Sequence, residues 1–540
     1  MRQSRIVKVP LPQKGVTKAK SGVNQITYVY YYTAIFRNGD GKPDNKRVSI
    51  GRYLESEDLM IPNDNYYKIF GTDKIQDEVN ALNISEILRI GEFVLFDKIA
   101  GDIGIAEIID NVFGDEANEV LTTTMFMLCN NKASMYLEDF HKENYTYSSR
   151  PINASSRLYK SIDFDKRFAF FKQWIGLNNA DEYNAYDVTS ISSYSNSSEL
   201  TEYGYNRDGE NLAQVNLGVF FGEKSRLPKY YNCYSGSITD KTYLPYIMQG
   251  TRELGIKISR FILDKGFISK HNIEYMIENE LDFIICTNET IKVKEYVFRN
   301  IDDVKNPENY ILAHSTYGKP VRYDENVNIH IFHDSEKAAG SEKDFYARIA
   351  MHENELQQLK VLDRKTARKY KTYFNITIKK DESFTYEKDY CKIKEAHKLI
   401  GYFACLVSEA GLSSEEVIEI YRRKDGVEKY FDNHKHFADG KRFRTHNDLT
   451  GQGKMFILFL SLIFKSYIDK TIGIHTKATL TEKKKTVYSV EKIMLELSRI
   501  KIITINGRTR LVQPITKKQR DILAWFKVSE KDVLDFVEKL

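Results

Sequence analysis

The sequence predicts a mixed α/β protein of several domains. Three observations lead there. From Tyr183 to Cys286, three strand-like runs, a helix, a strand, a helix and a strand follow one another, the alternation of an α/β unit. From Ile84 to about His141, apolar residues recur at three- and four-residue steps, the period of buried helices. Residues 24–53 instead alternate as two strands around a Gly/Asn/Asp/Pro turn. A chain of 540 residues is long enough to bury more than one core.

Taken in order, the hairpin at 24–53 is basic. Such a ribbon can lie in a DNA groove, and a plain structural hairpin is an equal alternative. Leu88, Phe93, Leu95, Phe96, Ile99 and Ile103 carry the helical period, Val120 to Leu128 a second helix, and Ser148 to Trp174 further ones. This helical segment reads as a DNA-recognition unit or as a scaffold packed on the core. Strands are expected around NAYDVTSI (Asn184–Ile191), at Ala213–Gly222, Leu227–Gly236, Ile258–Leu263 and Asp282–Cys286, with helices at Thr239–Leu254 and Ser269–Glu280. Residues 288–395 break the rhythm with short alternating runs and many lysines and read as a β-rich insertion. Leu399–Val407 resumes an apolar strand, Gly451–Ile468 is a very apolar helix, and the chain closes with a helix, a hairpin turning at Asn506-Gly507, and a last helix.

Composition excludes several classes. The longest apolar run, Met455–Phe464, is too short to span a bilayer, and the N-terminus has no signal-peptide core. The five cysteines have neither metal-ligand nor redox spacing and read as reduced thiols of a cytosolic protein. Net charge is only +5 but unevenly spread. Residues 1–60 hold 11 Lys/Arg against 5 Asp/Glu, and residues 465–540 hold 17 against 9, leaving an acidic middle. Basic ends around an acidic centre suit a nucleic-acid binder whose active site gathers carboxylates.

The chemistry centres on Ser413–Phe437. Ser413 and Glu416 form a capping box that starts a helix. On one continuous 3.6-residue helix, Tyr421, Lys424, Glu428 and Lys435 would share a stripe about 60° wide. Upstream, Asp187 lies within a strand and Asp264 ends an apolar one. Each acid alone reads as readily as a surface residue, and Asp264 before Lys-Gly as a turn residue. Three carboxylates converging from two strands and a helix would repel one another and call for a divalent cation, with oxygen ligands favouring Mg2+ or Mn2+.

These pieces resemble the DDE transposases of bacterial insertion sequences, whose core is ribonuclease-H-like. The helix resembles the Y-x2-R-x3-E-x6-K signature of the hairpin-forming branch, matching at Tyr421, Glu428 and Lys435, with Lys424 in the Arg position. YDVTS (Tyr186–Ser190) and LDKGF (Leu263–Phe267) resemble the two aspartate elements. Gly204–Val219, Leu227-Pro228, Gly236–Leu244, the GQGKMFILFLSL stretch and Thr516–Leu523 also look like the family. The resemblance implies cut-and-paste transposition at terminal inverted repeats and strand transfer into target DNA. It implies Asp187, Asp264 and Glu428 as ligands of two Mg2+ (or Mn2+) ions, and Tyr421, Lys424 and Lys435 as DNA contacts. It further implies a homodimer on paired double-stranded DNA ends, a bacterial cytoplasmic location, and neither a membrane nor a small-molecule substrate.

The branch also places a base-stacking aromatic, often Trp, in the insertion. Here the tryptophans are Trp174 and Trp525, both outside it, leaving Tyr296, Phe298 and Tyr310 as candidates. The expected organisation is a basic β unit at 1–60, a helical DNA-binding domain at 61–180 and a catalytic core at 181–287 and 396–475. The core is interrupted by the insertion at 288–395 and followed by a basic subdomain at 476–540 for dimer or DNA contacts. The alternatives are an inactive or repurposed DNA-binding protein and a stand-alone nuclease on the same core.

Overall fold

The computed structural model describes residues 8–21, 26–55, 57–71, 84–130, 133–148, 155–178, 181–194, 198–253, 255, 258–287, 291–437, 440–443, 447–479, 488–505 and 507–540. The fold is mixed α/β with several sheets, and it divides into two compact units. One comprises residues 1–87 and 503–510, the other residues 88–502 and 511–540. No described helix is long and apolar enough to cross a membrane.

The first unit is an antiparallel sheet of β1 (Val9–Pro10), β2 (Val16–Ser21), β3 (Ile26–Arg37), β4 (Pro43–Leu54) and β5 (Leu59–Pro62), in the order β1-β5-β4-β3-β2. Helix Asp64–Phe70, N-capped by Asn63, packs on it. Its small core is Val9, Val29, Ile50, Met60 and Tyr66. The expected hairpin is therefore present, as β3 and β4.

The helical period predicts a helix from Ile84. Ile84–Arg89 is instead strand β6, and the first helix runs Gly91–Asp102. The reason is long-range: the Arg89 carbonyl accepts from Tyr145 N and the Ile90 amide donates to Ile500 O, partners that local periodicity cannot reveal.

The second unit is built on a sheet whose first strands in chain order are β7 (Asn184–Ser192), β8 (Gln214–Gly222), β9 (Pro228–Ser235, at one edge), β10 (Arg260–Leu263) and β11 (Asp282–Thr287). β7, β10 and β11 run parallel, while β8 and β9 are antiparallel neighbours. Helices Asp240–Glu253 and Lys270–Glu278 make the crossovers. Every residue of β8 is buried, as expected of a strand covered on both faces.

The segment expected as a β-rich insertion divides in two. Its strands β12 (Tyr310–Ile311), β13 (Thr316–Arg322) and β14 (Asn328–Asp334) extend the central sheet, and a 24-residue helix, Ser335–Gln358, follows. That helix, with the hairpin β15 (Phe374–Ile378) and β16 (Phe384–Lys388) and helix Tyr390–Lys398, encloses a separate core around Phe345, Leu356, Tyr370 and Phe374. The return strand β17 (Tyr402–Val407) sits between β14 and β11, giving the sheet order β12-β13-β14-β17-β11-β10-β7-β8-β9. Asp334 and Gly401, at the two ends of the excursion, are hydrogen-bonded through the backbone at 2.9 Å.

The apolar helix is longer than its hydrophobic stretch: it spans Asp448–Thr479, 32 residues. Phe464 stacks on Phe96 with centroids 3.9 Å apart, and Phe459 meets Phe171 and Tyr231. A Cβ on Gly453 would fall 1.9 Å from Tyr159 O, so only glycine lets helix Ser155–Ser161 approach there. The buried residues of the N-terminal helices, the sheet, this long helix and the C-terminal helices Val490–Leu497, Lys517–Trp525 and Glu530–Glu538 form one continuous core. The late hairpin is present as β18 (Lys501–Ile505) and β19 (Arg508–Leu511); Asn506 of its expected turn lies outside the described residues.

Candidate active site

Strand register brings the two aspartates together. Phe261 pairs with Asn184 and Ile262 with Ala185, so three residues further on Asp264 draws level with Asp187. Each carboxylate is fixed by a neighbouring backbone N–H: Val188 N donates to Asp187 Oδ1 at 2.8 Å, and Lys265 N to Asp264 Oδ1 at 2.9 Å. Asp264 thus also caps the short 3-10 turn Lys265–Phe267, the role expected of a plain turn residue.

The third acid comes from a helix that is not the continuous one predicted. The capping box of Ser413 and Glu416 forms, but the helix ends at Arg422; a second helix runs Asp425–Asp432 and gives way to a π-helical turn at Asn433–Phe437. The junction is a tightened turn: Lys424 N, Gly426 N and Val427 N each bond the carbonyl three residues back. Arg226, at φ 58°, also donates to the Arg423 carbonyl and to Asp425 Oδ1, both at 2.9 Å. Gly426 then lies against β8: a Cβ there would be 2.5 Å from the Phe221 ring, so a neighbouring strand explains this glycine.

Lys424, at this junction, points inward. It is 5% exposed, and its Nζ lies 3.1 Å from Glu428 Oε1, 3.7 Å from Asp187 Oδ2 and 3.9 Å from Asp264 Oδ2. One ammonium thus stands among three carboxylates. Burial raises the Asp187 carboxyl above its ordinary range, with Lys424 opposing. For Lys424, burial works against the charge, but Asp187, Asp264 and Glu428 together hold its pKa above the usual lysine value.

The other residues on the expected stripe have partners of their own, and Tyr421 lies near enough to Asp264 to feel its charge. Lys435 Nζ bonds Asp208 at 2.7 Å, on the loop between β7 and β8. Tyr421 is half-buried and shares a hydrogen bond with Cys286; burial raises its hydroxyl far above the ordinary range, so it stays neutral. Cys286 faces Cys405 across β11 and β17 with sulfurs 2.9 Å apart, a pairing their distance in sequence concealed.

Sequence reasoning gave no role to Arg226 or Arg207. Arg207 joins Ser190 to Asp240 beside the aspartates and helps hold the Asp187 charge. Its location in the GYNRDGEN motif was the available signal.

Among the described residues, no group of three His, Cys, Asp or Glu side chains stands ready-made as a metal site. The donor set nonetheless fits a hard divalent cation: three carboxylates from three elements surround a single positive charge, which Lys424 supplies.

The acids thus come from two inner strands of a mixed sheet and from a helix laid against it. Residues 181–464 match the family model described as a transposase DDE domain, slightly more than half of the chain, and the chain belongs to that family: it is a DDE-type transposase. No curated protein matches the sequence. Among solved structures, the chain is similar to a piggyBac transposase synaptic complex with hairpin DNA determined by cryo-EM. That likeness covers 82% of this chain and 76% of the other at 11% identity, with a TM-score of 0.32, too low to bear on function.

Proposed function

We propose that this transposase carries out metal-dependent cut-and-paste transposition, cleaving double-stranded DNA at terminal inverted repeats and joining the ends to target DNA, with Asp187, Asp264 and Glu428 as its acidic triad. The observation that supports this is the approach of all three carboxylates to within 4 Å of one buried cation. In this reading they hold Mg2+ (or Mn2+), two ions in all. The ions supply activation of a water or 3′-hydroxyl and stabilisation of the leaving oxygen.

The chain's own residues do the rest. Asp187 and Asp264 are preset by backbone N–H groups, whereas Glu428, with its side chain 63% exposed, is free to adjust. Lys424 holds the three acids together; with a divalent cation bound, the acids would be its ligands and Lys424 would be available to a DNA phosphate. Lys435 exchanges Asp208 for a DNA phosphate, and the neutral Tyr421 hydroxyl is a hydrogen-bond donor. Origin in a bacterial insertion sequence of the Y-R-E-K branch, action in the cytoplasm and a homodimer on paired ends belong to the same proposal. So do the assignments of 61–180 and 476–540 to DNA or dimer contacts.

The test uses duplexes carrying the ends of the element that encodes this chain. Asp187→Ala, Asp264→Ala and Glu428→Ala should each abolish Mg2+-dependent cleavage while the protein still binds the duplex. Near-wild-type cleavage by any one of them overturns the triad. Joined products with a target plasmid separate a transposase cycle from simple nuclease action.

A further inference from the structure

The hairpin of β3 and β4 outruns the sheet it belongs to. From Thr33 to Arg47 every residue is exposed, on both faces of the ribbon. The core lies below, at Val29 and Ile50, with Tyr31 and Val48 packed against it. A two-stranded ribbon that buries nothing is at best marginal by itself, yet this one is closed with care. Asn38 N donates to Lys42 O and Gly41 N to Asn38 O, and the Asn38 side chain accepts from the amides of Asp40 and Lys42. Gly41, at φ 75°, supplies the left-handed residue the turn requires. The arm is therefore preformed and has no partner within its own sheet.

Its surface shows what it fits. Pairing of Ala34 with Lys46, Ile35 with Asn45 and Phe36 with Asp44 sets the two faces. One carries Phe36 and Lys46, with Asp44 opposite Phe36 and bonded to the Asn45 amide, and the other carries Ile35 with Arg37, so each face has an exposed apolar side chain beside a cation and the four cations of the arm outnumber its two acids, Asp40 and Asp44. Ile35 is 77% exposed and Phe36 40%. Lys42 lies in the turn, and Arg47 rests over the Tyr30 ring at 4.8 Å. Among the described residues, no ion pair engages Arg37, Lys42, Lys46 or Arg47. A slot with an anionic wall on either side and apolar groups on its floor matches such a ribbon.

We infer that the arm Thr33–Arg47 enters the major groove of duplex DNA, with Ile35 and Phe36 against thymine methyl groups and Arg37, Lys42, Lys46 and Arg47 on the flanking phosphates. The dimensions agree. Five residues per strand reach roughly 15 Å, ample for a groove about 8.5 Å deep, and a groove about 12 Å wide admits a two-stranded ribbon. This assigns a DNA-contacting surface outside the acidic cluster and does not depend on the triad.

The full-length chain, without divalent ions, is titrated with a duplex of about 40 base pairs of mixed sequence, with the same duplex containing deoxyuridine for thymidine, and with duplex RNA of that sequence. Arg37→Gln/Lys42→Gln/Lys46→Gln/Arg47→Gln should weaken binding about tenfold or more near 0.1 M salt and flatten the log–log salt slope by about 3 to 4. Ile35→Ser/Phe36→Ser should leave the slope unchanged, weaken binding several-fold, and abolish the discrimination of thymine from uracil that the wild type shows. Wild-type affinity and slope in the fourfold variant overturn the inference, as does a wild type indifferent to the thymine methyl. RNA bound as tightly as DNA also overturns it, because the A-form major groove is too narrow to read. All six positions are exposed, so unchanged circular dichroism and melting are expected of both variants.

Discussion

Two buried lysines, one on the central sheet and one at a helix junction, face opposite electrostatic problems. Lys229, in β9, is 3% exposed and pairs with the equally buried Glu182 at 2.7 Å. Burial opposes the Glu182 charge, but Lys229 and the Ser225 amide hold its carboxyl below the usual range. Lys229 also donates to Asn178 O, and Lys224 N and Ser225 N donate to Glu182. There one ammonium meets one carboxylate, and two backbone amides occupy Glu182 Oε2. At Lys424 one ammonium meets three carboxylates, and the surplus is negative. The first arrangement is matched in charge; the second carries an excess of negative charge, the feature on which the proposed cation site rests. Stoichiometry of charge, more than burial, separates structural pair from candidate site.

The largest effect should come from breaking the balanced pair. Lys229→Met strands a buried carboxylate and should cost about 3–5 kcal/mol, read by denaturant unfolding. Divalent ions should not restore that loss.

Lys424→Met is the sharper probe. Without divalent ions it should destabilise the chain by about 1–3 kcal/mol, because three carboxylates then face one another. Added Mn2+ should recover the loss and bind more tightly than to the wild type, measured by calorimetry without DNA. Equal or weaker binding would mean that the ammonium does not occupy the cation's place.

A third buried charge extends the series downward. Glu92 is 4% exposed with Oε2 unpartnered, and burial pushes its carboxyl up to about 7 despite Arg89. Between its unfolded value and about 7, the folded chain binds the extra proton, so stability is full below that window and falls as pH rises through it. Glu92→Gln should flatten this slope and gain roughly 1–2 kcal/mol near pH 8 in pH-dependent melts.

Much of this was legible in the sequence. The strands bearing Asp187 and Asp264 were both expected, the second as an apolar run, and the capping box at Ser413 marked the start of the helix that precedes the third acid's own. What the sequence could not convey was the helix break. Periodicity assumes an unbroken helix, whereas Arg226, nearly two hundred positions away, bonds the Arg423 carbonyl at the junction of two helices. Lys424 still shares a side with Glu428, as the stripe requires, but nothing in the sequence signalled that it would stand among all three acids. Strand β6 escaped for the same reason, since its partners lie far along the chain. The insertion misled differently: alternation marked its strands correctly but gave no sign that three of them would join the central sheet.

The backbone bond between Asp334 and Gly401 has a consequence for how such a chain can change over time. The excursion it closes leaves and re-enters the sheet at nearly one point and keeps its own core. Loops whose ends already meet are cheap to lengthen, shorten or exchange, because the entropy of closing them rises only slowly with length. Residues 335–400 are therefore a plug-in position: a lineage could swap the module there, or an engineer could replace it with a short linker, while β14, β17 and the acids behind them stay in register.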